Sequence, residues 1–305
     1  MVLSSLIKLG LHLLGILKEI SELIIKILLI FFPKKCCYKN LDKEIVLITG
    51  GGDGLGRCLA IKFASLGCKV VIWDINENGN RQTEQLVKSS GGGECYSYVC
   101  DVTDRTKVYE TAGRVKDDVG PVTILINNAG FVSCKKLLDD PDHLIEKNFQ
   151  VNAISHFWTC KAFLPDMISM QHGHVVSITS LAAYGIVEKL SAYCASKAAA
   201  TNLFEALTLE LNMEGRSYIH TSLVLTFMLT TPLFKGVKPI IPAIRTDIAA
   251  ERIANGVLQK KSLIIVPEWF PYLPLVKCVL PWKLYYIFYK LLKVNSAMET
   301  FKGRV

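Results

Sequence analysis

The chain has 305 residues, 50% of them hydrophobic and 20% charged, with a mean hydropathy of +0.32 and a formal net charge of +8. This composition excludes a disordered or collagen-like chain and fits one enzyme-sized α/β domain with additions, large enough to fold without disulfides or a structural metal. Residues 1–40 carry six Lys against two Glu and residues 259–305 carry eight Lys or Arg against two Glu, so the basic surplus belongs to the ends. Those charges are embedded in apolar sequence rather than set on a basic face, so the expected partner is a membrane surface and not nucleic acid.

Ten cysteines are present without any C-x-x-C pair, and the six histidines have no metal-partner spacing. No metal is expected, and free thiols fit a reducing, cytosol-facing compartment.

Residues 1–32 are almost entirely apolar, with charges only at Lys8, Lys18, Glu19, Glu22 and Lys26, which fall within an arc of about 100° on a helical wheel. A narrow polar stripe on a wide apolar arc predicts a retained membrane anchor lying in the lipid interface, with a tilted or re-entrant arrangement open. A simple span is disfavoured because a lysine at a helix centre costs about 2.5–3.5 kcal/mol on insertion. A cleaved signal peptide lacks its compact charged start and small-residue cleavage site here. Lys34, Lys35 and Lys39 then place the rest of the chain on the cytosolic side.

The predicted domain occupies residues 41–258. The run from Ile45 to Ile48 predicts a buried strand, followed by Thr49-Gly50-Gly51-Gly52-Asp53-Gly54-Leu55-Gly56 and a helix. Strand, glycine turn and helix form a dinucleotide-binding opening, because the backbone must approach a pyrophosphate closely under a helix N-terminus. A second strand, Lys69 to Asp74, ends in an acid 18 residues after Gly56. A carboxylate there accepts ribose hydroxyls and repels a 2′-phosphate, which predicts NAD(H) over NADP(H). Asp53 strengthens that preference, and Arg57 is the residue that would weaken it. Further apolar runs at 97–100 and 122–126, ending at Asp101-Val102 and Asn127-Asn128-Ala129-Gly130, alternate with helical stretches. The alternation predicts a Rossmann-like, doubly wound parallel sheet.

Four features then coincide in order: the glycine turn at 49–56, Asn127-Asn128-Ala129-Gly130, Ser180, and Tyr193-Cys194-Ala195-Ser196-Lys197. Together they resemble the short-chain dehydrogenase/reductase superfamily over about residues 42–260. The resemblance implies that Tyr193 is the proton acceptor, Lys197 its electrostatic partner and ribose ligand, and Ser180 the group that orients the substrate oxygen. A tyrosine is a poor base near its ordinary pKa of about 10, and an ammonium at i+4 favours the phenolate. Asn152 matches the family asparagine at a helix kink. Gly50, Gly54, Leu55, Gly56, Asp74, Asp101, Val102, Asn128, Ala129, Gly130 and Thr231 match cofactor positions. One departure stands out: Thr226 occupies the place of the family's proline after the sixth strand, which predicts a more mobile loop over the cofactor.

Beyond residue 258 the chain is again basic and apolar, and 280–294 has the pattern of an amphipathic helix, with Lys283, Lys290 and Lys293 on one side. It is expected to touch lipid or to pack on the core. The anchor and the motifs resemble the membrane-bound branch of the superfamily that holds retinol dehydrogenases, retinal reductases and 17β-hydroxysteroid dehydrogenases. That implies endoplasmic reticulum or lipid-droplet membranes, a homodimer of the common family type, and oxidation of all-trans-retinol. The alternatives are 17β-hydroxysteroids or long-chain alcohols as substrates and, from another class, a non-catalytic NAD-binding membrane scaffold.

Overall fold

The computed structural model describes Ser21 and residues 41–302 apart from 42, 92, 238–240, 269–280, 292–297 and 299. The chain divides into two units, Met1–Lys39 and Asn40–Val305. The anchor expected at residues 1–32 and the lysines that follow it lie outside the described residues. Among the described residues no helix is long and apolar enough to cross a membrane.

The second unit is a seven-stranded sheet, all parallel, in the order β3-β2-β1-β4-β5-β6-β7. Its strands are β1 (Ile45–Thr49), β2 (Lys69–Asp74), β3 (Cys95–Val99), β4 (Ile124–Asn127), β5 (Gly173–Ser180), β6 (Ile219–Thr226) and β7 (Leu263–Val266). The helices between them are α1 (Gly54–Ser65), α2 (Glu77–Ser89), α3 (Arg105–Asp118), α4 (Asp142–Phe149), α5 (Ser155–Ser169), α6 (Ser191–Met213) and α7 (Thr246–Leu258), with α8 (Trp282–Leu291) after β7. Parallel strands covered on both faces must be apolar on both, and IVLIT in β1 is buried at every position. The pleat sends Val46, Ile48, Ile72, Ile126 and Val224 into one core with α1 and α7. Leu47, Trp73, Leu125, Val175 and Leu225 enter the opposite core with α3, α5 and α6. Both layers of the expected doubly wound sheet are therefore present.

Short polar residues start three helices by capping them: Asp53 accepts Gly54 N at 2.7 Å, Asn76 accepts Gly79 N at 3.0 Å and Asp104 accepts Lys107 N at 3.1 Å. Each cap is worth about 1 kcal/mol.

The structure shifts some boundaries. β3 begins at Cys95, paired with Val70, rather than at Ser97. β4 begins at Ile124 rather than Val122, because the Thr123 hydroxyl accepts Ile45 N at 2.9 Å where a ladder carbonyl would stand. β7 pairs with β6, so the sheet runs past residue 258 into the segment read as an extension. α8 lies inside the amphipathic pattern at 280–294. Trp282, Leu284, Tyr286 and Ile287 are exposed, while the Tyr289 hydroxyl accepts Glu188 N at 2.7 Å.

The strand order reverses between β1 and β4. The crevice beyond the carboxyl ends of the strands at that switch point is where this architecture places ligands.

Candidate functional site

A cavity of about 1420 Å³ opens at that point, walled by the ends of β1, β2, β4, β5 and β6 and by the loops that follow them. It has two parts, one made by backbone and glycine, the other by apolar side chains.

The first part is a close-packed turn. Gly50 has φ +66, and a Cβ there would sit 2.9 Å from Ala129 Cα. A Cβ on Gly56 would sit 2.0 Å from Gly50 O, so neither position admits a side chain without moving the turn. Thr49 Oγ1 accepts both Asn128 N and Ala129 N at 3.0 Å, and Asn128 Nδ2 donates to Thr49 O at 2.8 Å. The two motifs that the sequence separates by about eighty residues thus form one hydrogen-bonded floor. Gly54, Leu55 and Gly56 bring the first turn of α1, the positive end of the helix, to the cavity wall.

At the end of β2, Asp74 Oδ2 accepts Gly52 N at 3.1 Å and Oδ1 accepts Asn76 N at 2.9 Å. Each oxygen keeps lone-pair capacity for a further donor. Arg57 points elsewhere: its Nε donates to Thr83 Oγ1 at 3.0 Å and its Nη2 to Gly52 O and Gln82 Oε1. Its donors are engaged by neutral oxygens of α2 and of the turn, and it does not line the cavity. Asp101 and Val102 line the same end, and Thr231 stands opposite Gly54.

The residues at the junction of the two parts come from β5 and α6. Ser180 ends β5; its hydroxyl donates to Thr226 O at 3.3 Å and accepts Ala182 N at 3.1 Å. Tyr193 and Lys197 lie one turn apart on α6, both buried, with Lys197 Nζ 5.9 Å from the Tyr193 ring centroid. Lys197 Nζ donates to Ile178 O at 3.0 Å, and burial pushes its pKa down to about 8. Burial also pushes the Tyr193 phenol up, against a hydrogen bond from Ser180 that lowers it. The direction is the reverse of that expected from the lysine alone, because desolvation outweighs a cation whose donor is directed at the Ile178 carbonyl.

Asn152 lies behind the wall rather than in it. It is the centre of a π-helical segment, Gln150–Ile154, between α4 and α5. Its amide closes a pair of 2.8 Å bonds with the backbone of Phe131, and Nδ2 also donates to Ser196 Oγ at 2.9 Å. Ser196 in turn donates to Tyr193 O at 2.8 Å. Asn152 therefore ties the turn after Gly130 to the helix that carries Tyr193 and Lys197. One turn further along, buried His156 Nδ1 faces Ser177 Oγ at 3.2 Å. Burial first, and Lys197 second, push its pKa down to about 3.

Thr226 extends the β5–β6 ladder to Ser180 and donates from Oγ1 to Thr179 O at 3.2 Å. The loop beyond it is tied at its base, by Thr230 N to Ile244 O and Ile244 N to Met228 O, both 2.9 Å.

The second part of the cavity is lined mainly by Val132, Leu190, Met228, Leu233, Phe234 and the C-terminal residues Met298 and Phe301, with Lys135, Glu146, Lys147 and Lys302 also on the cavity wall. Phe234 stacks edge-on against Tyr193 at 5.9 Å and 87°. Isolated apolar residues in loops have no period, and Met298 is over a hundred positions from Tyr193. Among the described residues, no group of His, Cys, Asp and Glu is arranged to hold a metal ion.

A glycine cradle under a helix N-terminus, an acid ending the second strand and a Ser-Tyr-Lys set beside it define an oxidoreductase that uses a nicotinamide dinucleotide and acts on CH–OH groups. Comparison with known proteins agrees. The family model for short chain dehydrogenase matches residues 44–239. A bovine protein named short-chain dehydrogenase/reductase family 16C member 6 is 45% identical over 78% of this chain and 76% of its own. Human epidermal retinol dehydrogenase 2 is 40% identical over 93% of both chains. Mouse estradiol 17-beta-dehydrogenase 11 is 40% identical over 83% of this chain and 84% of its own. The crystal structure of a short-chain dehydrogenase/reductase from Burkholderia phymatum in complex with NAD superposes with a TM-score of 0.71 at 23% identity, covering 76% of this chain and 92% of that one. The chain belongs to the short-chain dehydrogenase/reductase family.

Proposed function

We propose that the protein is an NAD-dependent dehydrogenase of lipophilic alcohols, with all-trans-retinol as first substrate, working at a membrane surface with its catalytic unit toward the cytosol. The observation that carries the reading is the position of Ser180, Tyr193 and Lys197 between a polar dinucleotide cradle and a chamber walled by apolar side chains. The cradle fits the cofactor: the glycines leave room that a Cβ would fill, and Asp74 retains acceptor capacity toward a ribose. The preference for NAD over NADP rests on that carboxylate together with the withdrawal of Arg57. When bound, the nicotinamide accepts the hydride leaving the carbinol carbon.

In this reading Gly50, Gly54, Leu55 and Gly56 cradle the pyrophosphate and Asp74 holds the adenosine ribose. Asp101 and Val102 flank the adenine, while Asn128, Ala129, Gly130 and Thr231 line the nicotinamide half. Ser180 turns its single O–H from Thr226 O to the substrate oxygen and fixes it against Tyr193, whose phenolate Oη takes the hydroxyl proton. Burial raises the pKa of the resting phenol, so the base form arises only when the phenol loses its own proton to solvent before the substrate proton moves. An approaching lysine cation is therefore what stabilises the phenolate, and Lys197, with a pKa near 8, still carries that charge at neutral pH. Asn152 positions both through Ser196 and Phe131. Oxidation is the favoured direction because an NAD-selective enzyme draws on a pool that is mostly oxidised.

Membrane association is supported by the apolar N-terminal sequence with its lysines and by the exposed Trp282, Leu284, Tyr286 and Ile287 of α8, a helix whose Tyr289 lines the cavity. The names of the human and mouse relatives favour a retinoid first and a steroid second.

The test is turnover of all-trans-retinol by membranes holding wild-type or Tyr193→Phe protein, supplied separately with NAD and NADP. The expected result is activity with NAD, lowered by a factor of about 10²–10⁴ or more in the variant. Activity that survives the substitution would remove the assigned base. Inactivity of the wild type on retinol, estradiol and long-chain alcohols alike would favour a binding scaffold.

A further inference from the structure

We propose that Met298 and Phe301, late in the chain, form the substrate-selecting wall of the active site, contacting the apolar body of the substrate. The proposal rests on the reading of the cavity as a lipophilic-alcohol site and adds the residues that select for size.

Met298 is 2% exposed and packs in one cluster with Val132, Leu190, Cys194 and Tyr193 itself, so a residue near the C-terminus shares a core with the candidate base. Phe301 packs against the same cluster, and both side chains line the cavity. The backbone holds them in place. Lys302 N donates to Lys235 O at 2.9 Å, and Phe301 N returns to Met298 O at 3.4 Å. Gly236 has φ +88, and a Cβ built on it would stand 2.4 Å from Thr300 O. A glycine is required where the tail crosses the loop after β6. On the facing side, the carbonyl of Met298 is 4.0 Å from Cys134 Sγ. Tyr289 of α8 fixes the loop before α6 through Glu188 N. The C-terminal segment thus joins the loops that follow β4, β5 and β6, the loops that wall the substrate half.

The chemistry of this wall defines its ligand. A thioether and a phenyl ring offer area without a hydrogen-bond donor, so they recognise hydrocarbon and leave the hydroxyl to Ser180 and Tyr193. A small alcohol held by those two residues would reach the reacting position without touching the tail. A long or polyene alcohol would gain affinity from it.

The experiment measures binding first, independently of turnover. Full-length protein with NADH bound, which accepts no hydride from an alcohol, is titrated with all-trans-retinol by its fluorescence and with cyclohexanol by displacement of bound retinol. The proteins compared are wild type, Met298→Ala, Phe301→Ala, Gly236→Ala and the volume-conserving Met298→Leu. The two alanine variants in the tail are expected to weaken retinol binding about tenfold each, since each removes a buried apolar side chain from contact. Gly236→Ala, remote from the chemistry, should give the same pattern by displacing the tail, and Met298→Leu should restore most of the affinity. Cyclohexanol binding and NAD affinity should stay within twofold of wild type in all of them.

Unchanged retinol affinity in the alanine variants would overturn the proposal. So would equal losses for retinol and cyclohexanol, which would mark a general structural role, or a wild type that binds retinol no better than cyclohexanol. Wild-type turnover, measured separately, reports on the dehydrogenase reading. Retinol binding that depends on the tail without turnover would refute that reading and leave the wall in place.

Discussion

The two halves of the cavity are built on different principles. The cofactor half is made mostly within residues 49–130, with Thr231 opposite, by backbone groups, glycines and short polar side chains, and its defining distances involve main-chain atoms. The substrate half is assembled from four stretches distant in the chain, the loops after β4, β5 and β6 and the C-terminal segment, and it touches ligand with side chains. A backbone cradle is intolerant of change, because a single Cβ collides with main chain. A side-chain chamber tolerates exchange among apolar residues. The same scaffold can therefore keep one cofactor while its substrates diverge, and substitutions should separate the halves cleanly.

The largest effect on the cofactor half is expected from Gly56→Ala, whose methyl group would lie 2.0 Å from Gly50 O. The turn must move, so NAD affinity measured by calorimetry should fall by about 100-fold or more, the loss of several hydrogen bonds. The buried sheet should stay intact by circular dichroism. Retention of NAD affinity would mean that the turn is not the pyrophosphate cradle.

Next is Asp74→Ala. It removes a carboxylate that also holds Gly52 N and Asn76 N, so NAD affinity should drop about 10–100-fold, at 1.5–3 kcal/mol for a hydrogen bond to a charged group. The NAD:NADP ratio should fall with it. Adding Thr83→Ala, which frees one of the partners of Arg57, should lower the ratio further. A ratio that does not change in either variant would assign selectivity elsewhere.

These two predictions rest on features legible in the sequence, and the reason is local spacing. The glycine turn, the acid after β2 and the Tyr193–Lys197 step each lie within a few residues of one another, so strand and helix periods alone bring them together. Thr226 and Met298 show where that logic ends. Thr226 reads as a missing proline and suggests a loose loop, yet its hydroxyl and its ladder bonds tie β6 to β5, which depends on a partner almost fifty residues away. Met298 carries no local pattern at all. Its importance comes from a chain path that only the packed structure defines. His156 lies between these cases: it reads as one scattered histidine, and burial behind Lys197 gives it a definite consequence.

That consequence is a pH dependence of stability. His156 stays neutral in the fold down to about pH 3 but titrates near 6.5 when unfolded. Between those values the unfolded state binds the extra proton, so its contribution is fully present above 6.5 and is lost as pH falls through the window. The loss is at most about 1.4 kcal/mol per pH unit. Denaturant midpoints at pH 7.5, 5.5 and 4.5 should fall more steeply for wild type than for His156→Gln. Parallel slopes would show that His156 is not buried neutral.

The smallest effect distinguishes a structural from a catalytic use of the residue at the family's proline position. Thr226→Val keeps shape and the β6 ladder but removes the Oγ1 donor to Thr179 O, and no other group is placed to take that carbonyl's side-chain bond. The cost should be about 1 kcal/mol of stability. Ser180 donates to the main-chain oxygen of residue 226, which the substitution leaves in place, so the orientation of the Ser180 hydroxyl should persist. Thermal unfolding should therefore register the change while kcat stays near wild type. A fall in kcat with unchanged unfolding would mean that the Thr226 hydroxyl acts on Ser180 or on the substrate directly, and the contrast between a fixed β5–β6 edge and an adaptable chamber would have to be redrawn at that residue.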